Sequence, residues 1–299
     1  MSDIKYVIGV DGGGTKTTVA LADESGEILS VEKGGPSNIR NVGLEVAVEN
    51  IFDVIKKVKK EESISCYCLT LASVVEEQQD KKEEVVRMLK EKGLEGEIFI
   101  ESDQLSAFRA GTDEKDGVVV IAGTGAVAKG WNKGREFKTN GWGYFSDEGS
   151  AFYAGIEAYR AVQKSFDGRG EKTIMEDLAK EKLNIHNIED LNSKIYLNYF
   201  EFLPKLSVIV DEAEQKRDVV ARNILEKVSE ELFSSAKTVI EKLELDKSEF
   251  PVILSGGMFR SKSLVDDLSE KISSAFSNAK ISVLQEDPVK GAVKIAINI

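Results

Sequence analysis

Residues 4–23 read IKYVIGVDGGGTKTTVALAD, and the order of residue types in this stretch decides the fold. Ile4 to Asp11 is an apolar run of strand length. Gly12-Gly13-Gly14-Thr15 is a turn, and Lys16 to Asp23 alternates like a second strand. Ser25-Gly26-Glu27 turns the chain again, and Ile28 to Lys33 makes a third strand, so the chain opens as a β-meander. The same order returns at mid-chain. Gly117 to Ala122 reads GVVVIA, Gly123-Thr124-Gly125-Ala126 follows, and Val127 to Trp131 and Phe137 to Asn140 supply further strands. Two such openings imply an internal duplication with its seam around residues 110–116.

Beyond each meander the apolar period changes. Leu44 to Lys60 carries Val48, Ile51, Phe52 and Ile55 at helical spacing. Ser65 to Leu71 reads as a strand, Lys82 to Lys92 as a helix and Gly96 to Glu101 as a strand. In the second half, Ser150 to Phe166 is helical, several shorter helices fill Glu171 to about Leu206, and Arg217 to Leu243 is a long amphipathic helix. Pro251 to Leu254 and Ile281 to Leu284 are strands flanking a helix from about Ser261 to Phe276, and Lys290 to Ile297 is a closing helix. The chain is therefore α/β, built of two βββαβα-like halves, the second with a helical insertion.

Composition narrows the chemistry. Lys and Arg number 40 against 52 Asp and Glu, a net charge of −12. With no dense basic patch, such a chain predicts no nucleic-acid partner and no anionic membrane surface. Hydrophobic residues make up 41%, enough for a sizeable core. No apolar run of spanning length and no signal peptide is legible, so the expected location is cytoplasmic. His186 is the only histidine, and Cys66 and Cys68 are the only cysteines. A histidine metal cage, a four-cysteine zinc site and a disulfide framework are excluded. His186 in a polar connection reads as a surface residue, and two cysteines alternating on a strand read as packing. Chemistry must rest on carboxylates, hydroxyls, lysines and backbone amides.

Three glycine turns are candidates for phosphate contact. The first is Asp11 to Thr17, where Gly13 and Gly14 let backbone N–H groups approach an anion and Thr15 and Thr17 add hydroxyls. It nearly matches a Walker A loop from Gly9. However, Thr15 stands where the lysine belongs, and the turn feeds a strand rather than a helix. Taken alone it reads equally as a plain hairpin. Gly123-Thr124-Gly125 at the equivalent place in the second half shifts the balance toward two turns gripping a polyphosphate. The third, Ser255-Gly256-Gly257-Met258-Phe259-Arg260, is a strand-to-helix turn that reads either as a tight turn or as a surface for a nucleotide base. Asp103 follows the strand at Ile98–Glu101. Its commoner meaning is a helix N-cap, a role for which Ser102 competes. Asp147 before Ser150 has the same two meanings. Asn38 alone is a turn residue, and Trp142 alone reads as core or as a lone exposed aromatic, while its place between two glycines also suits packing against a sugar face.

The set VDGGGTKT (10–17), Gly34-Gly35-Pro36-Ser37-Asn38, Ser102-Asp103, VVVIAGTG (118–125), Gly141-Trp142-Gly143, Asp147-Glu148-Gly149-Ser150-Ala151 and SGGMFRS (255–261) resembles the BadF/BadG-type ATPases. These belong to the sugar kinase, Hsp70 and actin superfamily; the branch resembled is that of N-acetylglucosamine kinase and the archaeal hexokinases. The resemblance covers nearly the whole chain. It implies two RNase H-like lobes with ATP and substrate in a cleft between them. The N-terminal lobe would be 1–114 with a C-terminal helix of about 288–299 packed on it, and the C-terminal lobe 115–287. It implies that Asp11 orients Mg²⁺ through water, and that the loop of Gly13, Gly14, Thr15, Lys16 and Thr17, with Thr124 and Gly125, meets the phosphates. Gly256, Gly257 and Arg260 would border the adenosine. Asp103 would be the catalytic base, and Asn38, Gly141, Trp142, Gly143 and Asp147 would hold the sugar beside it. A homodimer is carried by the resemblance alone. Two departures are visible: Ala126 replaces the serine usual after Gly-Thr-Gly, and Leu71-Ala72-Ser73 replaces a glycine-rich turn. Both bear on which sugar fits.

The expected activity is ATP-dependent phosphorylation of a hexose or N-acetylhexosamine at the 6-hydroxyl. Phosphoryl transfer needs positioning, a metal, hydrogen-bond donors and one base on the nucleophile, all available without histidine. The rival is an ATPase activator of a 2-hydroxyacyl-CoA dehydratase, which needs widely spaced cluster cysteines that Cys66 and Cys68 do not provide. A non-catalytic sugar sensor with the same fold is a third reading, against which the retained Asp11, Asp103 and Asp147 speak.

Overall fold

The computed structural model describes residues 5–59, 62–72 and 79–299. In the first half, strands β1 (Tyr6–Gly12), β2 (Thr17–Asp23) and β3 (Ile28–Gly34) form the antiparallel meander. Helix α1 (Ile39–Val42) is a single turn, and α2 (Leu44–Val58) crosses the sheet to β4 (Ile64–Leu71). Helix α3 (Gln79–Glu91), β5 (Glu97–Glu101) and α4 (Asp103–Gly111) follow. Strands β4 and β5 run parallel to β1, giving the order β3-β2-β1-β4-β5. The expected charged helix start over Glu76 to Lys82 falls partly outside the described residues, as does Ser73.

The second half repeats that order. Strands β6 (Gly117–Ala122), β7 (Ala126–Asn132) and β8 (Arg135–Asn140) form the meander. Five helices come next: α5 (Ala151–Asp167), α6 (Met175–Leu183), α7 (Ile188–Leu197), α8 (Tyr199–Gln215) and α9 (Val219–Leu243). Strand β9 (Phe250–Ser255), a 3₁₀ turn at Gly257–Arg260, α10 (Lys262–Ala275), β10 (Ala279–Val283) and α11 (Val289–Ile297) complete the chain. Reading from β8, this sheet is β8-β7-β6-β9-β10, with β9 and β10 parallel to β6. Both sheets have the strand order of an RNase H-like lobe. Residues 1–114 and 284–299 form one compact unit and residues 115–283 the other. The second unit ends at Val283, the end of β10, which is the edge strand of its sheet.

Helix α8 is longer than the short helices expected there and contains Pro204. Pro204 is the sixth residue of this helix, so it costs the one ladder bond that a residue there would donate to the carbonyl of Phe200. Among the described residues no helix is long and apolar enough to cross a membrane. His186 is exposed, and Cys66 and Cys68 are buried free thiols.

Strand alternation explains how the first unit is layered. Ile8 and Val10 point to one face of β1, where they pack with Tyr67 and Leu69 of β4 against Val48, Ile51 and Ile55 of α2. Val7, with Cys66 and Cys68, points to the other face, where Val289, Val293 and Ala296 of α11 cover it. Gly9 lies on that second face. A Cβ there would stand 2.6 Å from the Val293 backbone nitrogen, so helix and strand touch main chain to main chain. The same helix meets α4 just as closely: a Cβ on Gly291 would stand 1.8 Å from the Ser106 carbonyl oxygen. Neither backbone can yield without moving the helix. Gly291→Ala should therefore destabilise the protein by about 3 kcal/mol, at the upper end of overpacking costs. Urea unfolding should show a lower midpoint with an unchanged slope.

Candidate active site

The face of β1 that carries Gly9 also carries Asp11, two residues on. Helix α4 starts at Asp103 directly after β5, and Asp287 lies two residues before α11. The packing of α11 onto β1 and α4 thus gathers three carboxylates at the carboxyl end of the parallel strands. Asp11 is partly buried. Its carboxyl is pushed up to about 7, first by desolvation and then by the charges of Asp103 and Asp287, with Lys16 pulling it back. Lys16 Nζ stands 3.9 Å from Asp287 Oδ2, while Asp287 Oδ1 accepts from the Val289 N–H at the start of α11 (3.2 Å). Asp287 escaped the sequence reading. Its signal was an Asp-Pro pair before a helix, which by itself says only where a helix begins.

The N-cap question at α4 resolves against Asp103. Ser102 occupies the cap position, without a side-chain cap bond, and Asp103 is the first helical residue. Gln104 Nε2 donates to Asp103 Oδ1 at 2.6 Å, which fixes the carboxylate's orientation.

The glycine turn between β1 and β2 is a tight hairpin closed by the Gly13 N–H donating to Lys16 O (3.0 Å). Gly14, Thr15 and Lys16 are exposed, and Gly13 is partly so. Thr17 behaves differently from the expectation. It is fully buried, and its hydroxyl donates to Gly35 O (2.6 Å) and meets Ser37 Oγ (2.8 Å). Thr17 therefore braces the turn and offers no hydroxyl to a ligand. Asn38 caps α1 by accepting from the Arg40 N–H (3.0 Å), and its own N–H donates to Gly13 O (3.1 Å). The expected sugar residue is thereby tied to the expected phosphate turn.

In the second unit, Thr124 is exposed at the tip of the β6–β7 turn, whose Gly123 N–H donates to Gly125 O (2.9 Å). Asp147 is buried. Its Oδ1 accepts from the N–H groups of Trp142 (2.8 Å) and Gly143 (3.1 Å), and a Cβ on Gly125 would lie 2.7 Å from its Oδ2. Asp147 so holds the 141–143 loop against the Gly125 turn, while Ser150 takes the N-cap of α5. Trp142 is 75% exposed, which excludes the core reading. The pair Gly256-Gly257 divides its work. Gly256 has φ +115°, and its Cβ would strike Ala122 O at 2.4 Å, so it is required by the fold. Gly257 has nothing within 4 Å of a Cβ and is exposed, as is Arg260.

Among the described residues no group of three or more His, Cys, Asp or Glu converges tightly enough to hold a metal directly. The carboxylate cluster at Asp11 instead suits a cation that arrives with nucleotide phosphates and is met through water, as Mg²⁺ commonly is. Without such a cation, burial first, and then the charges of Asp103 and Asp287, hold Asp11 protonated up to about pH 7. The folded state then binds a proton that the unfolded chain releases near pH 4, so stability falls as pH rises through that window. Three units correspond to a penalty of up to about 4 kcal/mol. Asp11→Asn should remove this slope, making the ligand-free protein more stable than wild type at pH 8 and little changed at pH 4. Thermal melts across that range check it.

The comparisons agree with this geometry. The BadF/BadG/BcrA/BcrD ATPase family matches residues 8–296. An N-acetylmuramic acid/N-acetylglucosamine kinase of Clostridium acetobutylicum is 33% identical over 98% of this chain and 98% of its own length. An N-acetyl-D-glucosamine kinase of Dictyostelium discoideum is 34% identical over 97% of each. Among solved structures, a putative N-acetylglucosamine kinase from Chromobacterium violaceum superposes with a TM-score of 0.76 at 22% identity, covering 98% of this chain and 99% of that one. A family match over almost the entire length, joined to the doubled sheet and its glycine turns, fixes the assignment: this chain belongs to the BadF/BadG/BcrA/BcrD ATPase family.

Proposed function

We propose that the protein is an ATP-dependent sugar kinase that phosphorylates the 6-hydroxyl of an N-acetylhexosamine or hexose, with Asp103 as general base. The observation that carries this reading is the position of Asp103. It opens a helix at the end of a parallel strand, oriented by Gln104, within electrostatic reach of Asp11 beside the glycine turn. Relatives named for N-acetylglucosamine at 33% and 34% identity support the substrate class.

Bound magnesium-ATP supplies the phosphoryl group and the cation that offsets its charge. Asp11 orients that cation through water. The exposed Gly14 and Thr15 amides take phosphate oxygens from a turn that the Gly13 N–H closes onto Lys16 O, and Lys16, held beside Asp287, adds positive charge there. Thr124, Gly125, Gly257 and Arg260 are the second unit's contacts with the nucleotide. Asp103 accepts the proton of the attacking sugar hydroxyl. As that oxygen bonds to the γ-phosphorus, the bond to the β–γ bridging oxygen breaks, and ADP leaves with the electron pair. Asn38 and the loop of Gly141, Trp142 and Gly143, braced by Asp147, position the sugar.

The dehydratase-activator reading weakens on the same structure. Burial pushes the Cys66 thiol up to about 11 and raises that of Cys68 as well, whereas cluster ligation needs thiolates.

Coupled ADP release over glucose, N-acetylglucosamine, N-acetylmannosamine, glucosamine and mannose tests the proposal. Sugar-dependent turnover is expected, and Asp103→Asn should lower kcat at least about 100-fold with ATP affinity nearly intact. ATP hydrolysis indifferent to every sugar would sink the kinase reading. Gly257→Val should raise the KM for ATP while leaving the melting temperature within a degree or so of wild type, since no protein atom lies within 4 Å of a Cβ at Gly257. An unchanged KM would remove Gly257 from the nucleotide site.

A further inference from the structure

Lys138 is a cation without an acid. It lies on β8 with its Cα directly paired to that of Lys129 on β7. Directly opposed residues of an antiparallel pair share a face, and like charges placed so repel. Lys129 resolves its side of the conflict by burial and an ion pair with Glu136 at 3.1 Å. Lys138 makes no ion pair among the described residues. Its ammonium rests instead beside the Trp142 ring, 5.6 Å from the centroid. That ring is three-quarters exposed on a loop whose amides are fixed by the buried Asp147. In a chain with 52 acids against 40 bases, this ammonium is met among the described residues by the face of a held, open indole rather than by a carboxylate.

We propose that Lys138 is a specificity-determining residue for an anionic substituent on the sugar. It favours an N-acetylhexosamine that carries a carboxylate, such as a lactyl ether, over its neutral counterpart. The indole offers a flat apolar surface to a pyranose face, and the ammonium beside it offers a charge-assisted hydrogen bond to a carboxylate at the ring's edge. The inference rests on the sugar-kinase reading above and deepens it. The wider class named for the Clostridium acetobutylicum relative, N-acetylmuramic acid with N-acetylglucosamine, spans this chemical difference.

The test compares kcat/KM for N-acetylmuramic acid and N-acetylglucosamine in wild type, Lys138→Gln and Lys138→Arg, with circular dichroism confirming that each variant folds. Wild type should phosphorylate both sugars. The acid-to-neutral ratio of kcat/KM should drop about 10- to 100-fold in Lys138→Gln and stay within a few-fold of wild type in Lys138→Arg. Raising ionic strength should raise the KM of the acidic sugar and leave that of the neutral one unchanged. Wild type that uses the neutral sugar and ignores the acidic one would overturn the inference, as would a Lys138→Gln loss shared equally by both sugars. If no sugar stimulates ADP release, the kinase reading itself fails, and this inference with it.

Discussion

The contact on which the first unit's site depends is the main-chain approach of α11 to β1 and α4. It is possible only because Gly9 and Gly291 lack a Cβ: their virtual Cβ atoms would lie 2.6 Å from the Val293 nitrogen and 1.8 Å from the Ser106 oxygen. Any larger residue would lift the helix. The consequence is electrostatic. Asp287 stands at the start of α11, Asp103 at the start of α4 and Asp11 two residues beyond Gly9, so seating the helix also sets the three carboxylates close enough to perturb one another. Three like charges set this close are a poor way to stabilise a fold and a good way to prepare a site for a cation.

Duplication supplied two sheets of one order, but the copies have diverged in what each glycine turn does. In the first, the turn is braced from behind by Thr17 through Gly35 and Ser37. In the second, the brace is Asp147, which sits against Gly125 and reaches across to the 141–143 loop. A hydroxyl suffices where the turn need only be held. A carboxylate is used where two consecutive amides of one loop, those of Trp142 and Gly143, must be held together, because a single carboxylate oxygen accepts both.

Much of this was legible in the sequence, for identifiable reasons. The strands and long helices announce themselves because each buries one face, and burial prints its period on the chain. The glycine turns announce themselves by composition. What escaped was decided by which partner each side chain meets in the fold, near or far along the chain. Thr17 looks like its neighbour Thr15 until the sheet turns its hydroxyl inward. Asp287 looks like the start of a helix until that helix lands on β1. Asp147 looks like a cap until Ser150 takes the cap and leaves it to the loop.

These cases share a physical rule that separates scaffold from site within a single motif. In each glycine turn, one member faces protein and another faces open space. Gly256 is locked by its backbone angle and by Ala122, whereas Gly257, one residue on, has nothing above it. Thr17 is buried and Thr15 exposed. A motif read as a string cannot say which member does which, since both roles select the same residue types. Burial can. A polar or glycine residue whose environment already explains its identity is scaffold. One that the fold leaves unexplained, such as Gly257 or Thr15, is open to a ligand.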